Sequence, residues 1–331
     1  MNPLPGDVHV NAPLTNISIA FVQDERKFVA RRVFQIIPSQ KQSDVFFQFD
    51  RGNFNRDEMK VRAPGTESSG GSYTVDGSPN FFCLPYAFHK DIPDQLRSNA
   101  DSPLNLDREA TLYVTTKGLI RMERHFATNY FKASVWTEEK TGVGSSAGTG
   151  QFLRWDDANS TPIEDIRGQC TEVEENTGFR PNVLTLQRRV FDKLVDHPDL
   201  VDRVKYGGSN GAPAMVNMQA LAALFEVDEV LVMGGIYNTA KEGATNVHTF
   251  IGAPHALLTY RPPAPGIMTP AAGYTFTWNG YLGATPNGNR IKKFRHEVIE
   301  SDRIENQLAF DQKLISADLG AIFLNCVTIN T

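Results

Sequence analysis

The sequence predicts an α+β fold, and three observations carry that expectation. Leu106 to Lys132 places paired apolar residues at helical spacing. Phe294, His296 and Val298 alternate, as do Ile304, Asn306, Leu308, Phe310, Gln312 and Leu314, the pattern of long antiparallel strands. Between these regions, Val183 to Thr239 reads strand, helix, helix, helix, strand, with clear turn signals.

Taken in order, residues 1–45 mix Pro and Asn with short apolar pieces (Ile17 to Val22, Val29 to Ile37) and predict an extended arm with one helical segment. Val45 to Phe49 and Tyr73 to Val75 are strand-like ends of a long hairpin, and the passage between them is polar, rich in Gly and poor in apolar residues. A two-stranded hairpin of that kind is marginal alone, and a loop that long is either functional or without fixed structure. In the long helix, Asp107 and Glu109 occupy the first turn, where acids suit the helix dipole. Pro103 behind Ser102 is its start signal, and the apolar pairs are Leu112/Tyr113, Leu119/Ile120, Phe126/Ala127 and Tyr130/Phe131. Gly142 to Gly150 is a flexible connection, and Thr161-Pro162-Ile163-Glu164 reads as a capping box with Pro at the first helical position. Ile163, Ile166, Cys170 and Val173 continue that helix on one face until Gly178 stops it. Val183 to Leu186 is a strand, followed by helices built on Val190, Phe191 and Leu194, on Leu200, Val201 and Val204, and on Met218, Leu221 and Phe225. Val230 to Met233 is the next strand. The tail ends in a buried run, Ile322 to Val327.

Composition narrows the functional classes. The 331 residues are 40% hydrophobic and 21% charged, ordinary for a folded chain. A net charge of −5 argues against a protein whose main task is gripping phosphates. The three cysteines, Cys83, Cys170 and Cys326, have no close pair, which suggests buried thiols in a reducing compartment rather than a disulfide frame. The N-terminus shows neither a basic start nor an apolar run of the signal type. No stretch approaches the roughly 18 apolar residues of a membrane span.

Chemistry-bearing motifs are weak. Gly207-Gly208-Ser209-Asn210-Gly211 matches the nucleophile elbow of serine hydrolases, but a helical segment precedes it where a strand is required, and Pro213 follows. The histidines at 9, 89, 125, 197, 248, 255 and 296 form no metal-ligand pattern, so no metal, cofactor or catalytic residue is assigned. Glu138-Glu139 and the acids at 172, 174 and 175 read as solvated faces. Arg188-Arg189 and Lys292-Lys293 with Arg295 are the basic runs, suited to nucleic acid or to an acidic neighbour.

Several blocks of wording carry a resemblance. Thr177-Gly178-Phe179-Arg180-Pro181-Asn182, Asn217 to Thr239, Tyr86-Ala87-Phe88, Ile92-Pro93-Asp94 and Tyr274 to Trp278 (YTFTW) resemble the major capsid proteins of tailed double-stranded DNA bacteriophages, with the Hong Kong 97-type fold. The resemblance implies a four-part subunit: residues 1–45 as N-terminal arm, 46–80 as the extended loop lying on a neighbour, 81–159 with 286–331 as a peripheral domain around spine helix 106–132, and 160–285 as the axial domain. It implies a structural protein, not an enzyme, that self-assembles into pentamers and hexamers of an icosahedral shell. That shell encloses double-stranded DNA without sequence-specific binding, is assembled in the host cytoplasm, and becomes the virion capsid. A separate scaffolding protein, a portal and a decoration protein are the implied partners, with no membrane. Arg56, Lys60 and Arg62 in the loop are the expected intersubunit contacts. Some relatives cross-link through a loop lysine, and Lys60 lies in a suitable region, but no partner for that reaction is identifiable. The alternatives are an encapsulin-like cargo compartment and, in a different class, a serine hydrolase using Ser209.

Overall fold

The computed structural model describes residues 22–100, 104–207, 216–266, 269–283 and 288–329. Its frame is two sheets. The centre of the first is the 14-residue strand Ser301–Leu314. Leu84–Pro93 pairs antiparallel along one edge of it, Asn289–His296 along the other, and Gly273–Trp278 continues the ladder at its C-terminal end. Gln35–Ser39 then adds in parallel to Gly273–Trp278. The expected alternation holds in part: Ile304, Asn306, Leu308, Phe310 and Gln312 are buried on one face, but Gln307 and Ala309 are buried as well, Leu314 is half-buried, and Val298 falls outside the strand and is 89% exposed. The reversal between the two C-terminal strands falls at Glu297–Ile299, with Glu300 in the left-handed region (φ 44°).

The second sheet runs Glu229–Met233, Val183–Gln187, Ala256–Thr259, Gly320–Leu324, Glu138–Val143, Gln151–Leu153. Val183–Gln187 and Glu229–Met233 are parallel, so helices Arg188–Val195, Pro198–Gly207 and Met218–Phe225 form the crossover between them. Both faces of this sheet are covered, which is why Val183–Gln187 is buried at every position. Helix Pro162–Thr177 packs on it through Ile163, Ile166, Cys170 and Val173, and Gly178 ends that helix at φ 78°, as expected. Thr161, by contrast, makes no side-chain cap bond.

Sheet membership departs from the grouping drawn along the sequence. Glu138–Val143, Gln151–Leu153 and the final strand Gly320–Leu324 join the sheet of the 160–285 segment, whereas Gly273–Trp278 joins the sheet under the long helix. A short run buried at every position, such as Gly320–Leu324, fits either sheet, so its pattern alone does not select one.

The long helix spans Leu106–Tyr130, 25 residues, about 37 Å at ~1.5 Å per residue. Asn105 caps it by accepting a hydrogen bond from the Arg108 N–H at 3.0 Å, while Ser102 and Pro103 lie outside the described residues. Its buried ridge is Ala110, Val114, Gly118, Met122 and Phe126, a four-residue repeat. The apolar pairs do not define the buried face, because adjacent residues point about 100° apart and burial varies from pair to pair: Phe126 and Ala127 are both buried. Leu112 and Tyr113 in fact both face outward, 42% and 45% exposed. Gly118 is where the helix presses closest to the central strand: a Cβ there would lie 2.6 Å from Asn306 Nδ2. Asn306 Nδ2 in turn donates to the Val114 carbonyl at 3.1 Å. His125, half-buried, meets Gln312 Oε1 at 2.8 Å through Nδ1.

Residues 22–39 form a strap across both sheets. Gln23 exchanges two 2.8 Å hydrogen bonds with the backbone of Ile236, and the Lys27 carbonyl accepts from Gly234 and Gly235. Val29, Ala30, Val33 and Phe34 enter a core shared with Phe126 and Phe131 on one side and Val183, Leu231, Met233, Leu257 and Ile322 on the other. Phe34 meets the edge of Phe126 at 5.2 Å. The arm expected for residues 1–45 is thus integrated into its own subunit from Gln23 to Ser39; residues 1–21 lie outside the described residues. The anchor is Glu123, fully buried in the long helix, whose two carboxylate oxygens accept from the N–H groups of Val29 (3.0 Å) and Ala30 (2.8 Å). They satisfy the otherwise orphaned donors of the four-residue helix Ala30–Val33.

Two predictions follow from this packing. Phe126→Ala should cost about 3–5 kcal/mol in denaturant unfolding, because Phe34 and Phe131 lose their partner, whereas Leu112→Ala should cost no more than ~0.5 kcal/mol. Burial pushes the Glu123 carboxyl up from 4.5 to about 7, against the pull of its two backbone donors. Between those values the unfolded chain binds fewer protons than the folded one, so this group's contribution to stability falls as pH rises from 4.5 to about 7. Glu123→Gln should flatten that dependence. It should also lower stability by about 1–3 kcal/mol, because its amide turns a donor toward a buried N–H.

Candidate functional site

The described side chains offer no catalytic constellation. Ser209 lies outside the described residues, but Pro198–Gly207 before it is helical, so no strand leads into an elbow there. A buried Ser–His contact does exist: Ser160 Oγ and His197 Nε2 are 3.0 Å apart. It is wired for structure. His197 Nδ1 accepts from the Asp199 N–H at the start of the following helix, which makes Nε2 the protonated nitrogen. The Ser160 hydroxyl donates to the Asp157 carbonyl at 2.7 Å. The imidazole therefore has no lone pair free to take the serine proton.

The three cysteines are buried, as their place in apolar stripes predicts. Burial pushes the Cys83 thiol up to about 12 and Cys170 to about 11, and Cys326 rises likewise, so none is a thiolate at neutral pH. His255 is buried with its pKa lowered, its Nδ1 accepting from Asn325 N–H at 3.0 Å, while His248 is on an exposed strand. Among the described residues, no three His, Cys, Asp or Glu side chains gather as metal ligands would. No described helix is long and apolar enough to cross a membrane.

Several members of the basic and acidic runs are paired internally, whereas Arg189, Lys292 and Glu175 form no ion pair among the described residues. Lys293 pairs with Asp107 at 2.8 Å and Arg295 with Asp94, in a network that includes Arg97 and Asp302. Arg97 and Lys293 hold the Asp107 carboxyl down to about 2. Arg188 pairs with Asp192, Glu172 with Lys140, and Glu174 with Arg180.

The hairpin remains, and its root is firmly built. Ser43–Val45 pairs with Asn80–Phe82, and Gln48–Phe49 with Val75–Asp76. Phe81 stacks on Phe276 at 4.2 Å, and Phe46 packs against the same ring at 5.8 Å. Gln48 Nε2 donates to the Ile315 carbonyl at 2.6 Å, and Arg51 pairs with Asp318 at 3.3 Å. Asp50 caps the short helix Arg51–Phe54, and Phe49, Phe54 and Tyr73 close the neck with centroids 5.6–6.1 Å apart. Beyond that neck, residues 55–72 are exposed without exception. Met59 is 92% exposed and Val61 103%, unusual for apolar side chains. Arg56, Lys60 and Arg62 lie within one seven-residue stretch of this tip and form no ion pair among the described residues. The tip's own hydrogen bonds are local, such as Arg62 Nε to the Thr66 carbonyl at 2.5 Å. The root was legible in the aromatic strand ends, but the uncovered Met59 and Val61 had no sequence signal beyond lying in a polar stretch.

Comparisons with known proteins agree with this architecture. No family model matches the chain. It is 22% identical over 319 residues to the major capsid protein of Burkholderia phage BcepMu, covering 94% of each. Its fold superimposes on a phage-related protein from Bordetella bronchiseptica with a TM-score of 0.66 (19% identity, 91% of this chain and 92% of the other). It also superimposes on the capsid of cyanophage P-SCSP1u at 0.59 (10% identity, 96% and 93%) and on an encapsulin complex from Synechococcus elongatus at 0.53 (11% identity, 96% of each). The fold is that of the Hong Kong 97-type shell proteins, as the resemblance in the sequence implies.

Proposed function

We propose that this chain is the major capsid subunit of a tailed double-stranded DNA phage, self-assembling into pentamers and hexamers of an icosahedral shell. The observation that carries this reading is the hairpin. Ordering residues 55–72 costs backbone entropy, and their own subunit offers them little surface in return. A neighbour's surface would bury Met59 and Val61 and pair with the loop backbone, and Arg56, Lys60 and Arg62 would supply the polar contacts around them. A shell made of such subunits encloses DNA without reading its sequence and calls on a separate scaffolding protein, a portal and a decoration protein. It is built in the host cytoplasm and ends as the virion capsid.

The likeness to an encapsulin favours a second reading, a cargo compartment with the same subunit contacts. The contents of purified particles separate the two: packaged DNA for the phage shell, a single enzyme species for the compartment.

Replacing residues 55–72 with a short Gly/Ser turn should leave circular dichroism unchanged, because the root keeps its Phe81–Phe276 stack and the neck keeps Tyr73. Electron microscopy should then find capsomers or monomers and no closed particles. Shells of normal size and number from the shortened chain would remove the role assigned to the loop.

A further inference from the structure

The long helix presents a second surface that the shell reading leaves unassigned. Lys117, Arg121 and Arg124 lie at i, i+4 and i+7, one outward ridge about 10 Å long. Each is braced by an aromatic ring. Lys117 Nζ lies 5.3 Å from the centroid of Tyr113, the Arg121 guanidinium 4.6 Å from Tyr86 on the neighbouring strand, and the Arg124 guanidinium 4.5 Å from Tyr237 on the far sheet's side. Lys90 reaches the Tyr113 ring too, at 5.7 Å.

Many of the described cations are held in ion pairs. Arg97, Arg167, Arg180, Arg203, Arg295 and Arg303 are all ion-paired. None of the ridge cations forms an ion pair among the described residues, and from Ala110 to Tyr130 the only acid of the helix is Glu123, which is buried. On a chain of net charge −5 this is a concentrated positive stripe left without a counter-charge.

We propose that this ridge is a contact surface for the phosphodiester backbone of duplex nucleic acid. Stacking fixes the two guanidinium groups; Arg121 Nη2 also donates to the Tyr86 hydroxyl at 3.2 Å, and the remaining in-plane N–H groups face outward for phosphate oxygens, the geometry arginine uses best. Backbone contacts of this kind position a duplex without reading its bases. That the duplex is packaged DNA rests on the shell reading; the surface chemistry does not.

The test is fluorescence anisotropy of a labelled duplex of about 30 base pairs, titrated with the full-length unassembled protein over a range of salt concentrations. Wild type should bind with salt-dependent affinity. Lys117→Gln with Arg121→Gln and Arg124→Gln should weaken binding and lower the salt slope by about three, roughly one per phosphate contact. The charge-keeping variant with Lys117→Arg, Arg121→Lys and Arg124→Lys should retain the slope, and a loop variant, Arg56→Gln with Arg62→Gln, should leave it unchanged. Equal affinity and slope for wild type and the triple Gln variant would overturn the proposal. So would a triple variant that binds duplex normally but no longer forms particles, since the ridge would then be a subunit interface. If wild type forms no particles yet the triple variant loses duplex binding, the shell reading fails and the ridge stands.

Discussion

The constraint on which the rest of the structure depends is the burial of the Glu123 carboxylate under the strap. A carboxyl fully out of water is costly unless it is hydrogen-bonded, and this one accepts from two N–H groups of the chain segment that crosses it. Those contacts place Val29, Ala30, Val33 and Phe34 against both sheets at once. They also deliver Gln35–Ser39 to the edge of Gly273–Trp278, where it pairs in parallel. Without the strap, Phe126 and Phe131 of the long-helix region would lose a wall, and the two sheets would share far less core.

That closed frame makes the hairpin's exposure meaningful. The subunit buries its cysteines and closes a core between its two sheets, yet it leaves Met59 and Val61 bare at the end of a well-anchored stalk. A rigid root with an uncovered tip is the geometry of an element whose packing partner is another molecule. Ridge and hairpin divide the polar chemistry between them: stacked cations on a helix for a polyanion, and a flexible mixed-charge tip for a protein surface.

Much of the fold was legible in the sequence because its signals are local. The helix from Leu106, the block from Val183 to Met233 and the alternation of Ile304 to Leu314 all rest on periodicity. What was not legible depends on which surfaces meet. The apolar pairs on the helix did not reveal that Ala110, Val114 and Gly118 face the sheet, since a small-residue ridge looks unremarkable until a strand lies against it. A lone Glu in mid-helix gave no sign of capping residues some ninety positions earlier. The sheet joined by Gly320–Leu324 was equally hidden, because a run buried on both faces fits any interior. Of the candidate contacts, Arg56, Lys60 and Arg62 were legible as members of an exposed loop, whereas the ridge of Lys117, Arg121 and Arg124 needed the rings of Tyr86 and Tyr237 brought in from other elements.

The strap completes the subunit, and under the shell reading proposed above the hairpin is completed only by a neighbour. Amide hydrogen exchange, compared between the free subunit and assembled particles, tests it most directly. Residues 28–34 should be protected in both states, and residues 55–72 should exchange at near-unprotected rates in the free subunit and slow by orders of magnitude in the particle. Loop amides exchanging equally fast in the two states would contradict the claim.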